Sequence, residues 1–129
     1  MAVSHTYLDR AQQANASPVE GLCVYIGSND SVIQGADPVP FASKSFHAVY
    51  IGTLSHSYDL ETLIRASALI KKHSISITII GEGPDRPYLE ALNQQLDSNV
   101  TFTGLMPYPR MIGYLKSAQL AINLSLIHI

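Results

Sequence analysis

The sequence predicts an α/β fold, a parallel sheet with helices packed on its faces. Three observations carry this. Short β-branched runs alternate with segments whose apolar residues recur at i, i+3, i+4. The strand runs end at glycine or a polar turn, and the connections are about two to six residues, as such units require. The resulting order, β-α-β-α-β-α-β over residues 46–123, implies parallel strands joined by right-handed crossovers.

The first strand is His47-Ala48-Val49-Tyr50-Ile51, an apolar run closed by Gly52. After a polar turn, Leu60, Leu63, Ile64, Ser67 and Ile70 mark one face of a helix over residues 59–73. Asp59, or Ser57, can cap it by accepting from a free backbone N–H. Lys71 and Lys72 suit its C-terminus, where the dipole favours cations. The second strand, Ile75 to Ile80, is β-branched except at Ser76 and stops at Gly81. Pro84 suits the first turn of the next helix, whose buried face is Leu89, Leu92 and Leu96. Val100-Thr101-Phe102 forms a third strand, ended by Gly104. Pro109 opens a third helix with Met111, Ile112 and Leu115 apolar, and Leu120 to Asn123 is a fourth strand. Residues 1–45 are less regular: a helix over residues 5–15, a strand over residues 22–26, then a Gly-, Pro-, Asp- and Ser-containing loop or linker that argues for a boundary between two lobes.

Composition narrows the class. The chain has 129 residues, a net charge of -2 and 47% hydrophobic residues, ordinary for a globular α/β segment. The mild charge balance gives no nucleic-acid footprint, which needs clustered Lys and Arg. Cys23 is alone, so no intrachain disulfide forms, and its apolar neighbours make it a small core residue. No stretch approaches the roughly 18 apolar residues of a membrane span. The start lacks a signal-peptide pattern, so a cytoplasmic setting is the expectation.

Ligands of open parallel sheets bind beyond the carboxyl ends of the strands. Those ends carry Gly52-Thr53, Gly81-Glu82-Gly83-Pro84 and Gly104-Leu105-Met106, all on one edge. The turn at Gly81 and Gly83 has two readings. Glycines there let a ligand approach the backbone beside a helix N-terminus, or they relieve steric crowding alone. Glu82 would repel a phosphate in this turn, so a ribose or base is the better partner. The dinucleotide fingerprint G-x-G-x-x-G is not completed, because Arg86 holds its last position. A base could stack on Met106 and bond its main chain; equally, Leu105 and Met106 could simply cover the sheet end. His56 lies in the first strand-to-helix loop, where it contacts a phosphate or serves only as an exposed loop residue. No histidine pair has metal-binding spacing, no serine sits in a G-x-S-x-G elbow, and no resident cofactor is expected.

The blocks Tyr50-Ile51-Gly52-Thr53-Leu54, Asp59-Leu60-Glu61-Thr62-Leu63-Ile64-Arg65-Ala66, Ile79-Ile80-Gly81-Glu82-Gly83-Pro84, Asn99-Val100-Thr101-Phe102-Thr103-Gly104 and Leu115 to Asn123 follow in order. Together they resemble the C-terminal domain of GT-B glycosyltransferases of the group 1 (family 4) type, above all bacterial enzymes of polysaccharide biosynthesis. Ala2 to Leu8 looks like the end of the N-terminal domain, with the V-S-x-x-x-L segment that precedes the interdomain linker. The resemblance implies a Rossmann-like sheet forming an incomplete half of a GT-B fold. Residues 1–45 are then the N-terminal domain's end and the linker, and residues 46–123 a partial donor-binding domain. It also implies a nucleotide-sugar donor, a saccharide or lipid-linked acceptor held by the N-terminal domain, retention at the anomeric carbon and peripheral contact with the inner face of a membrane. Gly81, Glu82 and Gly83 match a segment near the nucleoside. Leu105 and Met106 match the base-reading position, and Gly52 and Thr53 the loop near the diphosphate. Where many relatives carry an Arg and a Lys that neutralise the diphosphate, this chain has Thr53 and Asp59. The family's E-x(7)-E segment would follow Asn123, so the resemblance names no catalytic residue here.

Beyond Asn123 the resemblance stops. Leu124 to Ile129 can be encoded by CTG TCT CTT ATA CAC ATC, a string that looks like a transposase-adapter end. Residues 124–129 are therefore expected to be a non-native tail, and the chain itself inactive. Two other readings stand beside the transferase: a nucleotide-sugar epimerase on the same fold and a non-catalytic flavodoxin-like module.

Overall fold

The computed structural model of the protein describes residues 5–15, 21–23, 30–41 and 46–124. The chain divides into two compact units, Met1–Ile33 and Gln34–Ile129. In the first, helix α1 (His5–Ala14) buries no residue. Cys23, half-buried, makes an isolated β-bridge; Leu22 is exposed and in no strand, and residues 24–26 of the expected strand lie outside the described residues. The loop expected over residues 27–45 contains a short helix, α2 (Asp30–Gly35).

The second unit is a four-stranded sheet in the order β3-β2-β1-β4, with every pairing parallel. Its strands are β1 (Phe46–Ile51), β2 (Ile75–Ile80), β3 (Val100–Gly104) and β4 (Leu120–Ile122). It is Rossmann-like: β2 and β3 step one way from β1, and β4 lies on the other side. Because strand side chains alternate, Ala48, Tyr50, Ile77, Ile79 and Val100 share one face. Against them pack Leu60 and Ile64 of α3 (Leu60–Ile70) and Leu89 and Leu92 of α4 (Arg86–Gln95). Leu54, Ile64 and Ile79 are fully buried, so the core lies between this face and α3 and α4.

Polar groups at the core boundary are satisfied as burial demands. Ser67 is buried, and its Oγ accepts from the Asn99 amide at 3.2 Å. Asp59 caps α3, its Oδ1 accepting from the Thr62 amide at 3.2 Å. After Ile70 the helix tightens into a 3-10 turn, Lys71–His73, which ends at Ser74 in the left-handed region. The start of α4 differs from expectation. Pro84 lies in a turn before the helix, Asp85 is the cap position, and Pro87 takes the first-turn place where a missing N–H costs nothing.

Helix α5 (Tyr108–Ser117) packs on the opposite face, where Tyr114 joins His47, Ser76, Thr78, Thr101 and Thr103. Residues 34–41 are strapped to α5. The Val39 amide donates to the Gly113 carbonyl at 3.1 Å. Lys116 Nζ donates to the Gln34 and Ala36 carbonyls at 3.1 and 2.8 Å. Phe41 stacks on His47 with ring centroids 3.8 Å apart, and His47 Nδ1 hydrogen-bonds Ser76 Oγ.

Candidate functional site

The carboxyl ends of β1, β2 and β3 meet at a cleft of about 190 Å³ lined by Ile51, Gly52, Thr53, Ile80, Gly81, Glu82, Leu105 and Met111. Five of the sequence-predicted residues, Gly52, Thr53, Gly81, Glu82 and Leu105, thus share one wall. Gly83 and Met106 do not line it. Gly83 faces Leu54: a Cβ there would overlap the Leu54 backbone. Met106 is half-buried, and Met111 of α5 is the methionine that lines the cleft.

The wall is built by loops that extend the sheet's own pairing. The Gly52 amide donates to the Ile80 carbonyl, and the Leu54 amide to the Glu82 carbonyl, each at 3.0 Å. The Gly81 amide donates to the Gly104 carbonyl at 3.1 Å, and the Asp85 amide to the Leu54 carbonyl at 3.0 Å. Backbones this close leave no room for side chains. Gly81 has φ +144, and a Cβ there would overlap the Gly52 carbonyl oxygen. Steric crowding between the loops therefore accounts for Gly81 and Gly83 without a ligand.

Glu82 is not a bare carboxylate. Its Oε1 pairs with Arg86 Nη1, while Arg86 Nε donates to Glu90 Oε1 at 2.8 Å. The bond to Glu90, and then the charges of both carboxylates, push the Arg86 guanidinium further toward its charged form. The paired guanidinium offsets part of the repulsion expected between Glu82 and a phosphate. The sequence signal for it was the Glu82, Arg86, Glu90 spacing at four-residue steps.

His56 lies elsewhere. It is exposed and lines a separate hollow with Ser55, Tyr58, Asp59, Glu61, Asp85, Tyr88 and Leu89. There the Tyr88 hydroxyl donates to Glu61 Oε2 at 2.6 Å. That bond, followed by the one from Arg65, holds the Glu61 carboxyl below its ordinary range. Among the described residues no group of three or more His, Cys, Asp or Glu side chains is placed to hold a metal ion. No helix among them is long and apolar enough to cross a membrane.

Parallel strands, a Rossmann-like order and a cleft at the strand ends define an α/β protein with its cleft at the edge where open parallel sheets bind ligands. Residues 45–128 match the family model described as glycosyl transferases group 1, and the chain belongs to that family. No curated protein sequence matches it. Among solved structures it is similar to the catalytic domain of cholesterol-alpha-glucosyltransferase from Helicobacter pylori, at 26% identity and a TM-score of 0.59. That likeness covers 67% of this chain and 54% of that one. The lipopolysaccharide outer core galactosyltransferase WaaB shares the fold at 20% identity and a TM-score of 0.60, over 93% of this chain and 34% of that one. The pneumococcal O-GlcNAc transferase GtfA, solved in complex with UDP and GlcNAc, shares it at 13% identity and a TM-score of 0.66, over 93% and 24%. The chain thus spans about half, or less, of the structures it matches. Family and fold together give it a GT-B type of fold.

Proposed function

We propose that this chain forms the donor side of a transferase that moves a sugar from a nucleotide diphosphate carrier to a saccharide or lipid-linked acceptor. One observation carries the reading: Gly52, Thr53, Gly81, Glu82 and Leu105 converge on one cleft at the carboxyl edge of the sheet. The cleft, at about 190 Å³, is below the roughly 300 Å³ at which small-molecule sites begin, so it serves as one wall of a larger site. On this reading the nucleoside lies along Gly81, Glu82 and Gly83, the base reaches Leu105 and Met106, and the diphosphate lies over Gly52 and Thr53. The amides at the start of α3 supply part of the positive potential that Thr53 and Asp59 do not.

Transfer proceeds with retention, in polysaccharide biosynthesis, on the cytoplasmic side at the inner face of a membrane. It uses no resident cofactor and works by positioning and by stabilising the leaving diphosphate. The acceptor lies on a second lobe, so these 129 residues bind donor nucleotide without transferring sugar. The complex of GtfA with UDP and GlcNAc supports the kind of ligand. Calorimetric titration of the chain with UDP, GDP and ADP tests the reading. Saturable binding of one of them is expected, and heats of dilution alone for all three would remove it.

A further inference from the structure

One buried phenol connects the core to the loop that the donor reading places at the diphosphate. Tyr50 is 2% exposed, lies in the main core cluster and is the next-to-last residue of β1. Its hydroxyl donates to the Thr53 carbonyl at 3.1 Å. Burial, with Tyr58 adding to it, pushes the phenol above its ordinary range, so it remains a hydrogen-bond donor throughout neutral pH. The same ring fills the space over Gly52: a Cβ there would stand 2.5 Å from the Tyr50 oxygen and 2.8 Å from Cζ. The peptide joining Thr53 to Leu54 is thereby held at both ends. Its carbonyl accepts from Tyr50, and its amide donates to the Glu82 carbonyl at 3.0 Å. The preceding amide, that of Thr53, makes no hydrogen bond among the described residues, and Thr53 is exposed at the cleft.

We propose that Tyr50 is a positioning residue: by holding the Thr53 carbonyl, its hydroxyl fixes the Thr53 backbone so that the Thr53 amide, in the preceding peptide, is presented to a phosphate oxygen of the donor. Gly52 is then required because the phenol occupies the place of its side chain. The inference rests on the donor-site reading above. It gives the loop a way to bind an anion through a pre-set backbone donor, without the side-chain cations of its relatives.

The test compares Tyr50→Phe with the unaltered chain, using whichever of UDP, GDP and ADP binds and the corresponding free nucleoside. Phenylalanine keeps the ring in the core and removes only the hydroxyl. Affinity for the diphosphate is expected to fall about five-fold, the equivalent of one ordinary hydrogen bond, while affinity for the nucleoside changes less than about two-fold. Gly52→Ala displaces the phenol without altering it, so the same diphosphate-selective loss is expected. A purely structural role would weaken both ligands alike. Equal losses for nucleotide and nucleoside, or unchanged diphosphate affinity in Tyr50→Phe, would overturn the proposal and leave the donor site standing. If the unaltered chain binds none of the three nucleotides, the donor-site reading falls and this proposal falls with it.

Discussion

Replacing Gly81 by alanine tests the claim that the cleft's glycines are set by loop packing. Two costs follow from the geometry. A non-glycine residue held at φ +144 carries strain of about 1–3 kcal/mol. The new methyl would also overlap the Gly52 carbonyl oxygen, and both loops would have to separate. That endangers the bonds from the Gly52 amide to Ile80 and from the Gly81 amide to Gly104, at about 1 kcal/mol each. The expected destabilisation is about 3–5 kcal/mol, a large share of the roughly 5–15 kcal/mol of a typical domain. Gly104→Ala is the comparison. Gly104 has φ +76, but its Cβ would meet only the ends of the Glu82 and Arg86 side chains, at 2.9 and 3.1 Å. Its cost is about 1–2 kcal/mol, that of the left-handed conformation. Urea unfolding of both variants measures the difference. A Gly81→Ala chain within about 0.5 kcal/mol of the unaltered one, or a Gly104→Ala chain less stable than Gly81→Ala, would refute the packing argument.

Further outcomes follow from other contacts. Ile64→Ala empties a fully buried position between α3 and the sheet and is expected to cost about 2–5 kcal/mol in urea unfolding. Lys116→Met removes both bonds to the strap, so limited proteolysis is expected to cut within residues 34–41 earlier than in the unaltered chain, with the sheet retained. The Glu61 carboxyl is expected to titrate below the ordinary glutamate value, and Tyr88→Phe to move its midpoint upward, as read by carbon NMR of the side chain. Since the folded value is the lower one, its contribution to stability is present above the unfolded value. It is lost as the pH falls through the folded midpoint.

The regular part of the fold was legible because its signals are local. The bounds of β2 follow from a β-branched run, interrupted only at Ser76 and ended by glycine, and the cap of α3 from an aspartate ahead of a periodic face. Pro84 was expected in the first turn of α4, but that place belongs to Pro87, because either proline fits the first-turn rule. Helix α2 left no readable trace: six residues are too few to show a helical period. The strap over residues 34–41 was invisible for another reason. Its bonds run to Gly113 and Lys116, and no local pattern announces contacts so distant in sequence. The site was legible in the same partial way. That the glycine turns share an edge follows from topology alone, and five predicted residues meet there. Why Gly81 must be glycine could not be read, since the atom it would strike belongs to Gly52 on the neighbouring strand end. The partner of Glu82 was within reach of the four-residue spacing rule, whereas the partner of Gly52 was hidden in the orientation of the Tyr50 ring.

The proposed donor-nucleotide edge is tested most directly by chemical-shift mapping of the isotopically labelled chain during titration with UDP, GDP and ADP. The account predicts that one nucleotide moves the backbone resonances of Gly52, Thr53, Gly81, Glu82 and Leu105 together, with a single saturating curve. Shifts confined to the groove of Phe41, Tyr114 and Thr101 on the opposite sheet face, or no shifts with any of the three, would contradict it.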